Sequence, residues 1–377
     1  MTDPRMHDLA RTLIHHSTRL KPGEHLLIEA FDIPEAMVVA LVAAARSVGA
    51  HPHVALRSGR IARALVEDAP AEQLNAWAGY DLQRMKKMDA YIGLRGSANA
   101  SEMAGLADDQ LQAYVGKYQT PVHGEQRVKH TRWCVLRWPS PSMAQLAQKP
   151  TAAFEQFYFD VCTLDYAKMA EAVKPLQKRM AAADRVEIKG PGDTDLTFSL
   201  KGIDAVACTG SHNIPDGECF SAPVRDSVNG IIHYNTPTVY MGRSFENVRL
   251  TFKNGRIVDF TADQGADDLA GIFDTDEGAR YVGEFAIGFN PHIRNAMRDI
   301  LFDEKIAGSL HFTPGRCYDE ASNGNVSDIH WDLVLIQRPD ASNGEGGGTI
   351  AFDSEVIRRD GLFVVDDLKG LNPDALV

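Results

Sequence analysis

The sequence predicts an α/β amino-terminal domain with a mostly parallel sheet, followed by an α+β carboxy-terminal domain with a largely antiparallel, partly barrel-like sheet. Three observations support this fold class. The chain has 377 residues, and a single hydrophobic core rarely supports a domain of that length. Strand and helix signals alternate in the first part of the chain, and short strands with turns replace them from residue 184. We therefore expect an amino-terminal domain at 1–183 and a carboxy-terminal domain at 184–377.

The first domain alternates apolar strand patterns with helix patterns. The segment PEAMVVALVAAARSVG, at 34–49, predicts a helix that ends at a glycine. Four apolar runs predict buried strands, namely HLLIEA (25–30), HPHVALR (51–57), MDAYIGLRG (88–96) and TRWCVLRW (131–138). This order is typical of a parallel sheet flanked by helices. A helical region then leads from residue 141 to the end of the domain.

The second domain is marked by hairpin signals. Asn254-Gly255 lies between two alternating segments, NVRLTFK and RIVDFTA, and an Asn-Gly pair in that position predicts a tight β-turn. Asp360-Gly361 in EVIRRDGLFVV predicts a second hairpin. Consecutive hairpins make antiparallel pairs, so these turns indicate a largely antiparallel sheet.

Composition and charge exclude several function classes. The formal net charge of -12 would repel a phosphate backbone, so we expect no nucleic-acid partner. The amino terminus has no apolar signal segment, and the most apolar helix is too short for a membrane span and contains an arginine. We expect a cytoplasmic protein without membrane attachment. The cysteines are scattered and lack a CxxC pair, which argues against a disulfide framework or a zinc ribbon.

Ionisable residues lie in apolar or glycine-rich surroundings at four places in the second half. Glu218 follows a Pro-Asp-Gly turn, and Glu284 is embedded in the run VGEFAIG. His311 and Tyr318 lie on either side of a Pro-Gly turn. In SDIHWDLVL, at 327–335, an extended backbone would project His330 and Asp332 from the same side.

Shared metal ions explain these residues better than separate burial. An ionised carboxylate is costly to bury unless a cation compensates it. Three carboxylates and two imidazoles in such settings therefore fit a divalent metal site. Oxygen and nitrogen ligands without cysteine favour zinc, cobalt or manganese, and three acids supply enough charge for two ions with one bridging carboxylate.

Each residue also has a structural interpretation when taken alone. His311 fits a hydrogen-bonded core histidine, Glu218 a turn or helix-capping residue, and Tyr318 a half-buried packing residue. Cys219 and Ser221 lie near Glu218, but neither occupies a GxSxG-type elbow, which argues against covalent catalysis.

Four ordered motifs together resemble those of the thermophilic metallo-aminopeptidase family, of the aminopeptidase T and aminopeptidase S type. They are NIPDGECFSAP, GEFAIGFNP, HFTPGRCY and SDIHWDLVL. The segment GPGDTDLTFSLKG also resembles the entry of that family's second domain. The resemblance covers most of the chain and is strongest from residue 187 onward. The sequence departs from the family pattern at Thr313-Pro314, Arg316-Cys317 and Phe289.

The resemblance implies a metal-dependent aminopeptidase that acts on short peptides with a free amino terminus. It further implies a homodimer and two divalent ions per subunit. Carried over motif by motif, the metal ligands would be Glu218, Glu284, His311, His330 and Asp332, with Glu218, Glu284 and Tyr318 as catalytic residues.

Two other functions stay open at this stage. A mononuclear non-haem iron dioxygenase on a related scaffold would use His311, His330 and Asp332 as two histidines and one carboxylate. A catalytically inactive relative would bind peptides without turnover.

Overall fold

A computed structural model describes residues 3–97, 99, 101–340 and 346–377. The chain forms two compact units. The first unit extends to Thr163 and includes Gly210–Ile214. The second unit comprises Leu164–Thr209 and Pro215–Val377. The division into folding domains at 183/184 stays a prediction.

The first unit contains a five-stranded sheet in which all neighbouring strands are parallel. In spatial order, its strands are His51–Arg57, His25–Phe31, Ala90–Arg95, Arg132–Arg137 and Asn213–Ile214. Its helices are Pro4–Arg11, Thr12–Ser17, Glu35–Ser47, Gly59–Val66, Ala71–Met85, Asp108–Tyr114, Val115–Arg127, Val128–His130, Pro141–Leu146 and Thr151–Cys162. The predicted α/β character is confirmed.

The helix Glu35–Ser47 illustrates how the local sequence produces this pattern. Met37, Leu41 and Ala45 recur every fourth residue and are all buried, which places them on one helix face. Glu35 lies in the first turn, where a carboxylate is favoured by the helix dipole. The chain leaves the helix through Gly49 at φ 77°, a left-handed conformation that glycine adopts without steric cost.

The second unit is built on two antiparallel sheets. The larger has eight strands and is not closed into a barrel by its strand order. In spatial order they are Arg256–Thr261, Arg249–Lys253, Asn229–His233, Asp195–Ser199, Arg185–Lys189, Thr349–Phe352, Glu355–Arg359 and Leu362–Phe363. A separate small hairpin pairs Thr238–Tyr240 with Arg243–Phe245.

The second antiparallel sheet has five strands and is called the site sheet below. In spatial order they are Val334–Ile336, Ser309–Pro314, Val282–Gly288, Glu218–Ser221 and Val206–Cys208. The helices of this unit are Tyr166–Ala172, Lys174–Ala182, Ala266–Phe273, Glu277–Arg280, Ile300–Asp303, Asp319–Ala321, Asp366–Leu371 and Pro373–Leu376. The predicted antiparallel character is confirmed.

Both predicted hairpin turns are present. Asn254 and Gly255 have φ angles of 48° and 80°, the left-handed pair that a tight two-residue turn requires. Asp360 and Gly361 have φ angles of 50° and 78° between the strands they were predicted to join. Local turn chemistry alone therefore located these connections.

An aromatic core joins the two sheets of the second unit. The ring of Phe198, on the larger sheet, lies 5.0 Å from Phe285 and 5.1 Å from Phe312, both on the site sheet. All three are buried. Because side chains alternate along a strand, this packing turns Glu284 and His311 to the opposite face of the site sheet.

Within the described residues, no helix combines the length and apolar character that crossing a bilayer requires. The five cysteines, at positions 134, 162, 208, 219 and 317, form no disulfide bond within the described part of the chain.

Candidate metal centre

Strand register assembles the centre on one face of the site sheet. Glu284 is paired with Thr313, and His311 is paired with Ala286. Glu218 is paired with Gly288 on the other side of the central strand. These positions have the same parity as Glu284, so the side chains share the face opposite the aromatic core.

His330 and Asp332 reach the centre from an irregular segment. The regular strand covers Val334–Ile336, less than the sequence pattern indicates. Before it, His330 forms a single bridge with Gly315, where any added Cβ would lie 2.2 Å from the carbonyl oxygen of Ile329. This close approach is possible because residue 315 is a glycine, and it replaces a regular ladder at this point.

The structure brings all five predicted metal ligands together. His311 Nε2 lies 3.1 Å from Glu284 Oε1 and 3.7 Å from Glu218 Oε2. His330 Nε2 lies 3.3 Å from Glu284 Oε2 and 3.2 Å from Asp332 Oδ1. Glu218, Glu284 and His311 are buried, so a low-dielectric environment surrounds most of these charges.

These separations fit ligands of a common ion. Two ligands that are each about 2.1 Å from one tetrahedral ion lie roughly 3.4 Å apart, near the spacings observed. One ligand atom each from Glu284, His311 and Asp332 lies within 4.8 Å of the other two. Buried Glu218 Oε2 accepts no hydrogen bond from any residue that the structure describes. An unsatisfied buried carboxylate oxygen facing an imidazole is the arrangement that a bound cation would complete.

Two further contacts orient the predicted ligands. His330 Nδ1 lies 2.8 Å from the carbonyl oxygen of Arg316. Because a carbonyl only accepts, Nδ1 carries the proton and leaves Nε2 directed at the carboxylates when the ring is neutral. The hydroxyl of Thr313 donates to Asp332 Oδ1 over 2.7 Å. Thr313, one departure from the family pattern, therefore holds a predicted ligand.

The protonation behaviour of these groups reflects their mutual attraction. Burial by itself raises the pKa of Glu284, but hydrogen bonds with His311 and His330 outweigh burial and hold its pKa below the usual value. Burial lowers the pKa of the two imidazoles, yet the carboxylates raise it to about 9 for His311 and about 12 for His330. The pKa of Asp332 is lowered because the charge of His330 outweighs the effect of burial. The carboxylates therefore stabilise positive charge at this position, which is the electrostatic condition for binding a cation.

Tyr318 borders the same group. Its side chain is half exposed, and its ring contacts that of His330 edge to face at 4.9 Å between centroids. Burial of the hydroxyl and the charges of Glu284 and Asp332 raise the pKa of Tyr318 well above its usual value. The hydroxyl is therefore neutral near pH 7 and able to donate a hydrogen bond.

A second charged group, which was not predicted from the sequence, lies beside the first. Lys305 is buried, and its Nζ lies 2.6 Å from Glu218 Oε1 and 3.8 Å from Asp216 Oδ1. It also forms an ion pair with Glu304. The available signal was the charged run Asp-Glu-Lys at 303–305, enclosed by Phe302 and Ile306. Charged residues between buried apolar ones indicate a compensated site.

Burial and ion pairing together set the pKa values of this second group. Burial raises the pKa of Glu218 and raises that of Glu304 to about 8. For Lys305, burial lowers the pKa, but the charges of Glu218 and Glu304 outweigh it and raise the pKa well above the usual value. Lys305 is accordingly an ammonium ion.

One family model extends over nearly the whole chain. The family described as thermophilic metalloprotease (M29) matches residues 2–363. The aminopeptidase AmpS of Bacillus subtilis is 36% identical over 177 residues, which cover 44% of this chain. That match spans 42% of the Bacillus protein's length.

Two solved structures share the fold. Wild-type AmpT from Thermus thermophilus has a TM-score of 0.78 at 23% identity and covers 96% of this chain and 99% of its own. The 2,5-dihydroxypyridine dioxygenase from Pseudomonas putida KT2440 has a TM-score of 0.61 at 12% identity, with coverage of 96% and 98%. At these identities the likeness concerns the fold, which therefore occurs with two different chemistries.

Proposed function

We propose that this chain, which belongs to the thermophilic metalloprotease family M29, is a metal-dependent aminopeptidase that removes amino-terminal residues from peptides. The observation that carries the proposal is the group of carboxylates and imidazoles on one face of the site sheet. Glu284 is its centre, because His311 and His330 each approach one of its oxygens.

Membership of a metalloprotease family implies use of a divalent metal. We propose that Glu284, His311, His330 and Asp332 hold it, with Glu218 completing the site through Oε2. Zinc, cobalt or manganese suits this donor set. A bound divalent ion would supply the positive charge that polarises the scissile carbonyl and makes hydroxide available near neutral pH. A second ion, which the resemblance implies, stays a prediction.

The chain's own residues have three tasks in this proposal. Glu218 or Glu284 accepts the proton of the attacking water and returns it to the leaving amine. The neutral hydroxyl of Tyr318 donates a hydrogen bond to the oxyanion that forms at the carbonyl carbon. An acidic side chain binds the free ammonium group of the substrate, which restricts cleavage to the first residue.

A panel of amino-acyl 4-nitroanilides tests the proposal. We expect the metal-loaded protein to hydrolyse substrates with a free amino group and to spare the same compounds after N-acetylation. A chelator should abolish the activity, and zinc, cobalt or manganese should restore it. Absence of hydrolysis with every metal, or hydrolysis that a chelator leaves unchanged, would contradict the proposal.

The non-haem iron dioxygenase is the less favoured alternative. It shares the fold, but a single iron held by His311, His330 and Asp332 would leave the buried Glu218 and Glu284 without a function. Oxygen consumption by the iron-loaded protein with dihydroxylated aromatic compounds, without amide hydrolysis, would support it. Binding of peptides without turnover would instead support an inactive relative.

We further propose a homodimer, as the resemblance implies, and a cytoplasmic location. Exposed Ile61 and Leu65 line a surface depression of the first unit and are candidates for a subunit contact. Light scattering of the purified protein tests the dimer, and cell fractionation tests the location.

Replacing Tyr318 by phenylalanine should lower turnover without removing metal. The hydroxyl is lost while the ring contacts with His330 and Phe220 are kept. We expect kcat to fall by roughly 10²- to 10³-fold at unchanged metal content, because an oxyanion donor acts in the transition state. Steady-state kinetics and elemental analysis of the same sample measure both. Parallel loss of metal and turnover would make Tyr318 a ligand or a structural support.

Replacing Thr313 by valine should weaken metal binding moderately. Valine keeps the shape but removes the hydroxyl that donates to Asp332. We expect a loss of about 10- to 100-fold in metal affinity, as is usual for residues that orient a ligand. Competition with a chromophoric chelator measures the affinity. Thr313→Ser is the matched control because it keeps the donor, and equal affinities for both variants would argue against this role.

A further inference from the structure

We propose that the ammonium group of Lys305 is a built-in cation that takes the place of a second metal ion, so that each chain binds a single divalent ion. The inference rests on the metal centre of the proposed function but departs from the two ions that the resemblance implies. It concerns the number of ions and not the reaction.

The acids available to a second ion are already in contact with Lys305. Apart from the group around Glu284, one ligand atom each of Glu218, Glu304 and His311 also lies within 4.8 Å of the others. Lys305 Nζ forms ion pairs with both Glu218 and Glu304, and it is 3.8 Å from Asp216. The side chain is almost completely buried, so water does not substitute for these partners.

The two carboxylate oxygens of Glu218 face different partners. Oε1 accepts from the ammonium at 2.6 Å, whereas Oε2 faces His311 Nε2 at 3.7 Å. This is the geometry of a carboxylate that bridges two cations, and one of the two is Lys305. An ammonium ion has three donors and no lone pair, so it cannot ligate a metal while it keeps this position. A second dication beside it would be repelled.

The backbone around Gly288 and Asn290 holds Lys305 beside Glu218. Gly288, paired with Glu218, leaves room for the crossing segment, because an added Cβ would lie 2.7 Å from the carbonyl oxygen of Ile306 and 2.8 Å from that of Glu304. The amide of Asn290 donates to the carbonyl of Lys305 over 2.9 Å. The Asn290 side chain also donates to the carbonyl of Asp216 over 2.7 Å. Lysine and acids are therefore fixed to one another by the main chain, which distinguishes Lys305 from a mobile surface lysine.

Metal stoichiometry tests the inference directly. The wild-type protein is stripped with chelator, dialysed against excess zinc or cobalt, passed through a desalting column and analysed for metal and protein. We expect about one equivalent per chain for wild type, as in a mononuclear site. About two equivalents in the wild-type protein would overturn the inference whatever the variants do.

Two variants of Lys305 provide the matched comparison. Lys305→Met keeps the length of the stem and removes the charge, so the freed acids should admit a second ion and raise the content to about two equivalents. Lys305→Arg keeps a cation and should stay at about one equivalent. A folded Lys305→Met variant that binds no additional ion would contradict the inference.

If Lys305→Met does not fold, a crystal structure of the metal-loaded wild type tests the inference instead. Anomalous scattering should show one ion near Glu284 and His311, with Lys305 Nζ still at Glu218. An ion between Glu218 and Glu304, with Lys305 displaced, would overturn the inference. The proposed function is judged separately by amide hydrolysis. Two ions with peptidase activity would remove only the role of Lys305, whereas one ion without peptidase activity would remove only the function.

Discussion

Glu284→Gln is expected to abolish hydrolysis of amino-acyl amides, lowering kcat/KM by about 10³-fold or more while the fold is retained. The amide has nearly the same shape as the carboxylate, so the packing of the central strand is kept. The amide carries no negative charge, however, and an NH2 donor replaces one of the two carboxylate oxygens. Both Glu284 oxygens face imidazoles, so the substitution removes charge from the point where His311 and His330 converge.

Kinetics with a chromogenic amino-acyl amide, together with circular dichroism and thermal unfolding, measure this result. Glu171→Gln is the matched control, because Glu171 is an exposed residue that pairs with Lys174 on the surface. The control should retain wild-type activity. Full activity of Glu284→Gln would remove Glu284 from the site.

His330→Ala is expected to lose metal and activity together. The ring places Nε2 beside Glu284 and Asp332, and its orientation is fixed by the carbonyl of Arg316. Removing the ring eliminates a proposed nitrogen ligand, and it leaves the carboxylates of Glu284 and Asp332 without the imidazole that lies beside both of them. We expect metal affinity to fall by at least about 10²-fold, because loss of a ligand costs no less than loss of the residue that orients one.

Chelator competition and activity at limiting and saturating metal distinguish this effect from the one predicted for Tyr318. Activity of His330→Ala should recover in part when metal is raised, whereas that of Tyr318→Phe should not. His15→Ala is a control at an exposed histidine of the first unit and should change neither property. Unchanged metal affinity of His330→Ala would show that His330 is not a ligand.

Much of the fold follows from local patterns. The four predicted strands of the first unit and both hairpins of the second are present, because strand periodicity and turn conformation are set by neighbouring residues. The segment around His330 is not the regular strand that its alternating apolar and polar residues predict. Gly315 brings a second backbone close to that segment, and such an approach depends on a residue outside the pattern.

The candidate ligands could be recognised from the sequence because ionisable residues are unusual within apolar segments. Glu284 lies within an apolar strand and His311 beside apolar residues, so each was expected to need a compensating charge. Lys305 and Glu304 were missed because a short charged run is ordinary in a surface loop. Only the crossing at Gly288, which places residue 305 beside residue 218, shows that Lys305 is buried.

By itself, the sequence determined the fold class, the two hairpins and the residue types from which a metal centre is built, since each depends on composition or on residues close in the chain. The tertiary structure decided which of those residues meet, how Thr313 and Arg316 orient them, and that Lys305 lies among the acids. The physical reason is that ion pairing and metal ligation depend on distances of a few ångströms, and strand register sets these distances between residues as far apart in sequence as Glu218 and Lys305.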